Sequence, residues 1–204
     1  MKDKDMLVYE RKYWDMGKTT VAGVDEAGRG PLAGAVFAAA VVLHPGVDIE
    51  GLDDSKKLSE KKREYLFDVI KEKALYWNIA SVDEKTIDRI NILESAYLAF
   101  ANALNGLPVM PEIALIDGNR AKNIPMEFET IVKGDSLSRS IAAASILAKV
   151  ARDRYIVELD KVYPEYGFAK HKGYPTKEHL EAVKKYGPCP IHRLTFKGVR
   201  EFVR

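Results

Sequence analysis

A short stretch near the start of the chain joins a buried strand to two adjacent acids and a glycine-rich turn. Residues 21–24 form an apolar run that predicts a buried β-strand. Asp25 and Glu26 follow at once, and Gly-Arg-Gly occupies 28–30. Two neighbouring carboxylates at the end of a buried strand are costly unless a cation neutralises them, and divalent cations such as Mg²⁺ favour carboxylate oxygens. Because Arg29 adds a fork suited to phosphate, the stretch predicts metal-dependent chemistry on a phosphate-bearing substrate.

Two further acids occupy comparable places. Asp117 ends the apolar run 113–116, and Asp135 follows Lys133-Gly134 at the start of a predicted helix. Taken singly, such acids are more often turn residues or groups that favour the positive end of a helix dipole. Four carboxylates that converge on one sheet edge would instead suit two divalent ions about 4 Å apart. The chain shows no Cys/His pattern of zinc type, so oxygen ligands favour Mg²⁺ or Mn²⁺.

The adjacency of the first two acids sets a geometric condition. Neighbouring residues on a regular strand point to opposite faces of the sheet. Asp25 and Glu26 can share a site only if the strand ends or twists there. We therefore predict that Glu26 lies at or past the end of regular pairing.

The rest of the chain predicts a mixed α/β sheet covered by helices on both faces. We expect the first two strands to pair as a hairpin, and one long helix to begin at Asp83 or Thr86 and run to about Leu104. The predicted strands cover 20–26, 32–43, 76–82, 113–117 and 128–132. The other predicted helices cover 60–73, 138–163 and 176–186, with a partly helical lead-in over 1–19 and a short helix near the C-terminus.

Composition and charge limit the class of protein. None of the apolar runs in the 204 residues reaches the roughly 20 that a membrane span needs, and the first residues lack the apolar region of a signal peptide. With Cys189 as the single cysteine, we expect a cytoplasmic protein, and a monomer suffices for the chemistry above. Residues 150–204 carry 12 Lys and Arg against 7 Asp and Glu, which is compatible with a polyanionic partner.

Several polar residues are candidate substrate contacts. Tyr174 lies in the loop His-Lys-Gly-Tyr-Pro-Thr, where its ring could stack on a sugar or base, or could pack against the protein body. Lys56, Ser145 and Lys149 are candidate substrate-binding residues, although solvated surface is the ordinary role of any one lysine.

Two other classes of protein are alternatives. A nucleic-acid-binding module without catalysis would keep the basic segment, but such a module gains nothing from a full set of acids near phosphates. An actin-like or kinase-like enzyme would also place acids and glycines at strand ends. The chain, however, lacks the G-x-x-x-x-G-K-[ST] phosphate loop.

Several long motifs, in order, resemble ribonuclease HII of the bacterial type. The resemblance runs from residue 21 to about 196, and the N-terminal domain and different post-acid sequence of ribonuclease HIII are not seen. The motifs are GVDEAGRGPLAG (23–34), DSKKL (54–58), DGN (117–119), KGD (133–135), IAAASILAK (141–149), HKGYPT (171–176) and GPCPIHR (187–193).

The resemblance implies a fold, an activity and a site. The fold is RNase H-like, a five-stranded mixed sheet flanked by helices, with a catalytic domain over 1–163 and a helical extension over 164–204. The activity is cleavage of RNA in RNA–DNA hybrids and incision 5′ of single ribonucleotides in duplex DNA, which leaves 3′-hydroxyl and 5′-phosphate ends. The implied roles are metal binding by Asp25, Glu26, Asp117 and Asp135, reading of the ribose 2′-hydroxyl by the backbone of Gly28, Arg29 and Gly30, and stacking on the adjacent sugar by Tyr174.

Overall fold

The computed structural model, which describes residues 5–203, is built on one five-stranded sheet with the strand order β3-β2-β1-β4-β5. β1 pairs antiparallel with β2 and parallel with β4, β2 pairs antiparallel with β3, and β4 pairs parallel with β5. The predicted hairpin and the mixed sheet are therefore confirmed. The strands are β1 (Val21–Ala27), β2 (Val36–Val42), β3 (Tyr76–Val82), β4 (Ile113–Asp117) and β5 (Phe128–Ile131).

Helices cover both faces of this sheet. One face packs on α4, and the other packs on α2 and α5. Because side chains alternate along a strand, Ala38 and Ala40 of β2 face α4, whereas Ala39 and Val41 face α2 and α5. The helices are α1 (Val8–Asp15), α2 (Glu60–Lys73), α3 (Glu84–Ile90), α4 (Ile92–Asn105), α5 (Arg139–Val162), α6 (Phe168–His171) and α7 (Lys177–Tyr186).

The close approach of α5 to β1 depends on a glycine and on alanines. A Cβ on Gly23 would clash with the backbone of Ser140 and Ile141. The alanine run 142–144 of α5 is fully buried against the same face. Small residues on both elements therefore bring the helix directly over the strand that carries Asp25.

Three predicted elements differ from the structure. The helix expected up to Leu104 is broken at Asn91, whose φ of 68° is left-handed and whose side chain accepts hydrogen bonds from the N–H groups of Leu93 and Glu94. A residue with positive φ interrupts a helix, and the Asn91 side chain caps the next one, so α4 starts anew at Ile92. The strand expected from residue 32 begins only at Val36, because Leu32 bonds instead to the C-terminal segment. The expected terminal helix is a single 3₁₀ turn, Arg200–Phe202.

The prediction that Glu26 lies at or past the end of regular pairing is wrong on the β2 side of β1. Pairing of β1 with β2 continues past it, with Glu26 opposite Ala38 and Ala27 opposite Phe37. On the β4 side, however, pairing stops at Val24 opposite Ile116. The antiparallel hairpin extends farther than the parallel pair, so the end of β1 is open toward β4 alone.

The C-terminal segment packs on the body of the protein through an apolar cluster. Phe168, Val183 and Ile191 contact Ala33 and Ile156 there. The division at residue 163 stays a prediction, as do the cytoplasmic location and the monomeric state. Residues 1–4 of the predicted lead-in and residue 204 of the predicted extension lie outside the described residues. Within residues 5–203, no helix is both long and apolar enough to span a membrane.

Candidate active site

Three of the predicted acids meet at one edge of the sheet. Asp25 of β1, Asp117 at the end of β4 and Asp135 in the 3₁₀ turn Gly134–Ser136 each offer a carboxylate oxygen within 4.8 Å of the others. Asp25 and Asp135 are both 4% exposed, and Asp117 is partly buried. We call these three residues the aspartate cluster.

A tight turn after β5 brings Asp135 to the other two. Lys133 adopts a left-handed conformation with φ 59° and so reverses the chain. Gly134 then donates its N–H to Asp117 Oδ1 at 2.6 Å, and a Cβ at this position would lie 2.5 Å from Ile141 Cδ1. The Lys-Gly-Asp sequence therefore positions Asp135 and, through the Gly134 N–H, orients Asp117.

The cluster holds more negative charge than its surroundings balance. Burial, followed by repulsion from Glu26 and Asp117, raises the pKa of Asp25 well above its usual value. Burial and repulsion from Asp135 likewise raise the pKa of Asp117. Lys56 is the cation in direct contact, with Nζ 3.1 Å from Asp135 Oδ2.

This donor set fits divalent metal ions. Buried carboxylates whose charged forms are destabilised by one another gain most when a cation is added between them. All the donors are oxygens, the ligand type that Mg²⁺ and Mn²⁺ prefer. The site therefore has both the charge and the chemistry of a divalent-metal centre.

Glu26 lies beside the cluster rather than within it. Its Oε1 accepts a hydrogen bond from Arg29 Nη1 at 3.2 Å. Burial raises the pKa of Glu26, and the nearby Arg29 opposes that shift. The structure thus joins three of the four predicted acids directly and pairs the fourth with the arginine of residues 28–30, which we call the Gly-Arg-Gly loop.

Tyr174 lies over the Gly-Arg-Gly loop. A Cβ on Gly30 would be 3.4 Å from Tyr174 Cε1, and the ring is flanked by Lys149 Nζ at 5.8 Å and Arg152 Cζ at 5.7 Å. The tyrosine is nevertheless 40% exposed. It is held by the protein and stays partly accessible to solvent, and its stacking on substrate stays a prediction.

Of the other candidate substrate contacts, two lie against the aspartate cluster and one lies farther away. Ser145 hydrogen bonds to Asp25, and its Oγ lies 2.8 Å from Ser55 Oγ. Lys149 forms an ion pair with Asp153 at 2.9 Å. Ser145 and Lys56 therefore contact the acids themselves, while Lys149 stands next to Tyr174.

Two buried histidines, missed in the sequence, support the Tyr174 loop. The Cys189 N–H donates to His192 Nδ1 at 2.9 Å, which leaves the His192 proton on Nε2. That group donates to His179 Nε2 at 3.0 Å, and His179 Nδ1–H donates to the Tyr174 carbonyl at 3.0 Å. No spacing in the sequence indicates this chain, because its members meet only through packing.

We expect both rings to stay neutral well below the usual pKa of histidine. Burial lowers the pKa of His179 and of His192 to about 4. Since the unfolded state binds these protons first, stability is lost as the pH falls from about 6.5 toward 4, by roughly 2 kcal/mol per ring at pH 5. NMR titration of the ring protons checks this, with His44→Gln to assign the exposed histidine. Titration of both rings near pH 6.5 would contradict it.

Comparison with known proteins bears directly on this site. A sequence model of the family described as Ribonuclease HII matches residues 22–199, which include all four predicted acids and Tyr174. This chain belongs to the ribonuclease HII family. It is a type 2 ribonuclease H, an endonuclease that acts on the RNA of RNA–DNA hybrids and depends on divalent metal. The binding-module and nucleotide-dependent alternatives are therefore wrong.

Individual relatives agree with the family assignment. The chain is 57% identical to the ribonuclease HII of Acetivibrio thermocellus, over 94% of this chain and 75% of that protein. It is 53% identical to the ribonuclease HII of Caldicellulosiruptor bescii, over 95% and 94%. The crystal structure of ribonuclease H2 from Pyrococcus horikoshii is similar, with a TM-score of 0.76 and 31% identity over 90% of this chain and 96% of that one. The predicted RNase H-like fold is confirmed.

Proposed function

We propose that this enzyme also incises duplex DNA 5′ of a single ribonucleotide, by hydrolysis with two Mg²⁺ or Mn²⁺ ions, leaving 3′-hydroxyl and 5′-phosphate ends. The observation that carries the proposal is the position of Tyr174 close to Gly30, on the loop that leads directly from Asp25 and Glu26. A ribose 2′-hydroxyl is the group by which a protein distinguishes RNA from DNA at one position. The exposed backbone of Gly30, beside the acids, supports recognition of a 2′-hydroxyl on the nucleotide that reacts.

We assign the following roles to the side chains. Asp25, Asp117 and Asp135 would hold the ions, and Glu26 would add a carboxylate from the neighbouring position. Two such ions supply an activated water and charge stabilisation of the leaving oxygen. Lys56, whose side chain is largely exposed beside Asp135, is placed to neutralise a substrate phosphate.

Substrate specificity would come from the second half of the site. The N–H groups of the Gly-Arg-Gly loop would contact the 2′-hydroxyl, and the exposed part of the Tyr174 ring would stack on the sugar that follows it. Both contacts are made to the sugar rather than to a base, so cleavage would not depend on base sequence.

The test uses an end-labelled DNA duplex that contains one ribonucleotide, incubated with Mg²⁺, with Mn²⁺ or with chelator. We expect a metal-dependent cut on the 5′ side of that ribonucleotide and none in the matched all-DNA duplex. Cleavage of long RNA–DNA hybrids alone would leave the family activity intact and contradict the proposed incision. A cut that persists in chelator would contradict the role of the ions.

A further inference from the structure

Arg193, in the C-terminal segment, is a fully buried cation whose three side-chain nitrogens each donate to a carbonyl within residues 28–34. Its Nη2 donates to the Gly28 carbonyl at 2.5 Å, its Nη1 to the Arg29 carbonyl at 2.9 Å, and its Nε to the Gly34 carbonyl at 3.0 Å. Within residues 5–203, no carboxylate lies in ion-pair range of it. Burial lowers the pKa of Arg193 to about 9.

A buried guanidinium without a direct ion pair is costly, because the charge leaves water and carboxylates such as Asp88 and Glu84 attract it only from beyond ion-pair range. Arg193 recovers part of this cost through three carbonyl oxygens in the directions that its planar fork requires. The arginine and the loop therefore constrain each other. The guanidinium needs these three carbonyls as acceptors, and its hydrogen bonds hold their peptide planes in place.

The positions of the Gly28 and Arg29 carbonyls determine where the N–H groups of Arg29 and Gly30 point. Every peptide bond in residues 5–203 is trans, so each C=O points opposite to the N–H of the next residue. A Gly28 carbonyl held inward directs the Arg29 N–H outward, and an inward Arg29 carbonyl does the same for the Gly30 N–H. Arg29 and Gly30 are exposed, and within the described chain neither N–H has a hydrogen-bond partner.

We propose that Arg193 is a positioning residue for ribose recognition, which fixes the outward direction of the Arg29 and Gly30 N–H groups. The inference rests on the proposed function, in which this loop contacts the 2′-hydroxyl. Arg193 does not touch the substrate. It orders the loop before binding, so the two donors need not be reoriented when a ribonucleotide arrives.

The body of the protein holds the neighbouring Tyr174 loop in a similar way. Arg152 of α5 donates to the Lys172 carbonyl at 2.5 Å, and the Gly173 carbonyl accepts the Leu32 N–H at 2.8 Å. Arg193 therefore bonds to carbonyls of the amide-bearing loop and Arg152 to a carbonyl of the tyrosine loop, although Arg152 also lies against Gly28. A variant of Arg193 disturbs the first loop and leaves the Arg152 contacts of the second in place.

The test measures discrimination rather than activity alone. For each variant we would determine the KM for a duplex with one ribonucleotide, and the Ki of the matched all-DNA duplex as a competitor of its cleavage in Mg²⁺. Arg193→Lys keeps the charge, but its single Nζ cannot reach three carbonyls that are spaced for the three nitrogens of a guanidinium. We expect its KM to rise roughly tenfold, the effect of about one lost hydrogen bond, with an unchanged Ki.

Two control variants separate positioning from general destabilisation. Arg200→Lys makes the same chemical change at an exposed arginine of the C-terminal segment, and Val183→Ala weakens the buried cluster under that segment. Both should keep the wild-type ratio of Ki to KM, even where Val183→Ala lowers Tm. An Arg193→Lys protein with the wild-type ratio, or a Val183→Ala protein that loses the ratio, would overturn the proposal.

If Arg193→Lys does not fold, hydrogen exchange on the unmodified enzyme tests whether the Arg29 and Gly30 amides point outward and contact the ribonucleotide. The Arg29 and Gly30 amides should exchange quickly in the free protein and become protected by the ribonucleotide-containing duplex but not by the all-DNA duplex. Amides already protected in the free protein would overturn the inference. If the wild-type enzyme does not cut at single ribonucleotides, the proposed function fails first, and the role of Arg193 in reading the ribose falls with it.

Discussion

Asp25→Asn is expected to reduce turnover roughly a thousandfold and, at the same time, to stabilise the metal-free protein. Asparagine keeps the Oδ1 that accepts the Glu26 N–H at 2.7 Å, so the local backbone is preserved. What disappears is a buried charge whose pKa is raised by burial, Glu26 and Asp117. Removing that charge relieves the repulsion that a metal would otherwise offset.

The prediction is specific because turnover should fall while the stability of the metal-free protein rises. Thermal unfolding with and without Mg²⁺ should show an increase in Tm on metal addition for the wild type, and little or none for Asp25→Asn. The control is Asp68→Asn, the same change at an exposed position of α2. If Asp25→Asn kept full turnover, or a metal raised its Tm as in the wild type, Asp25 would have to be removed from the metal site.

Tyr174→Ala is expected to lower incision at single ribonucleotides by about 10- to 100-fold, the range for loss of one stacking contact. Tm should change little, because the tyrosine is 40% exposed and its backbone contacts remain. Cleavage of uninterrupted RNA–DNA hybrids should fall less, since an RNA strand offers many positions at which the enzyme can bind.

Two substitutions give matched controls for the tyrosine. Tyr174→Phe keeps the ring and should retain most of the incision activity. Tyr186→Ala removes another exposed tyrosine of the same segment, at the end of α7, and should leave the ratio of the two activities unchanged. An equal loss of Tm and of both activities in Tyr174→Ala would show that the ring acts through packing alone.

The sequence was informative wherever a signal is local. Apolar runs that end in an acid located β1 and β4, and the ordered motifs identified the family. The break at Asn91 was missed because helical periodicity continues across it, and only the backbone shows the left-handed φ. The start of β2 was missed for a different reason: the apolar residues 32–35 are buried by the C-terminal segment rather than by the sheet.

By itself, the sequence determined the chemistry: which acids are present, that their oxygens suit a divalent metal, and that a glycine-rich loop follows the first pair. Tertiary structure decided which groups meet. It brought Asp25, Asp117 and Asp135 within 4.8 Å while pairing Glu26 with Arg29, and it placed Arg193 against carbonyls more than 150 residues away. Residue type and spacing follow from the chain, whereas contacts across such distances depend on how the sheet, α5 and the C-terminal segment pack together.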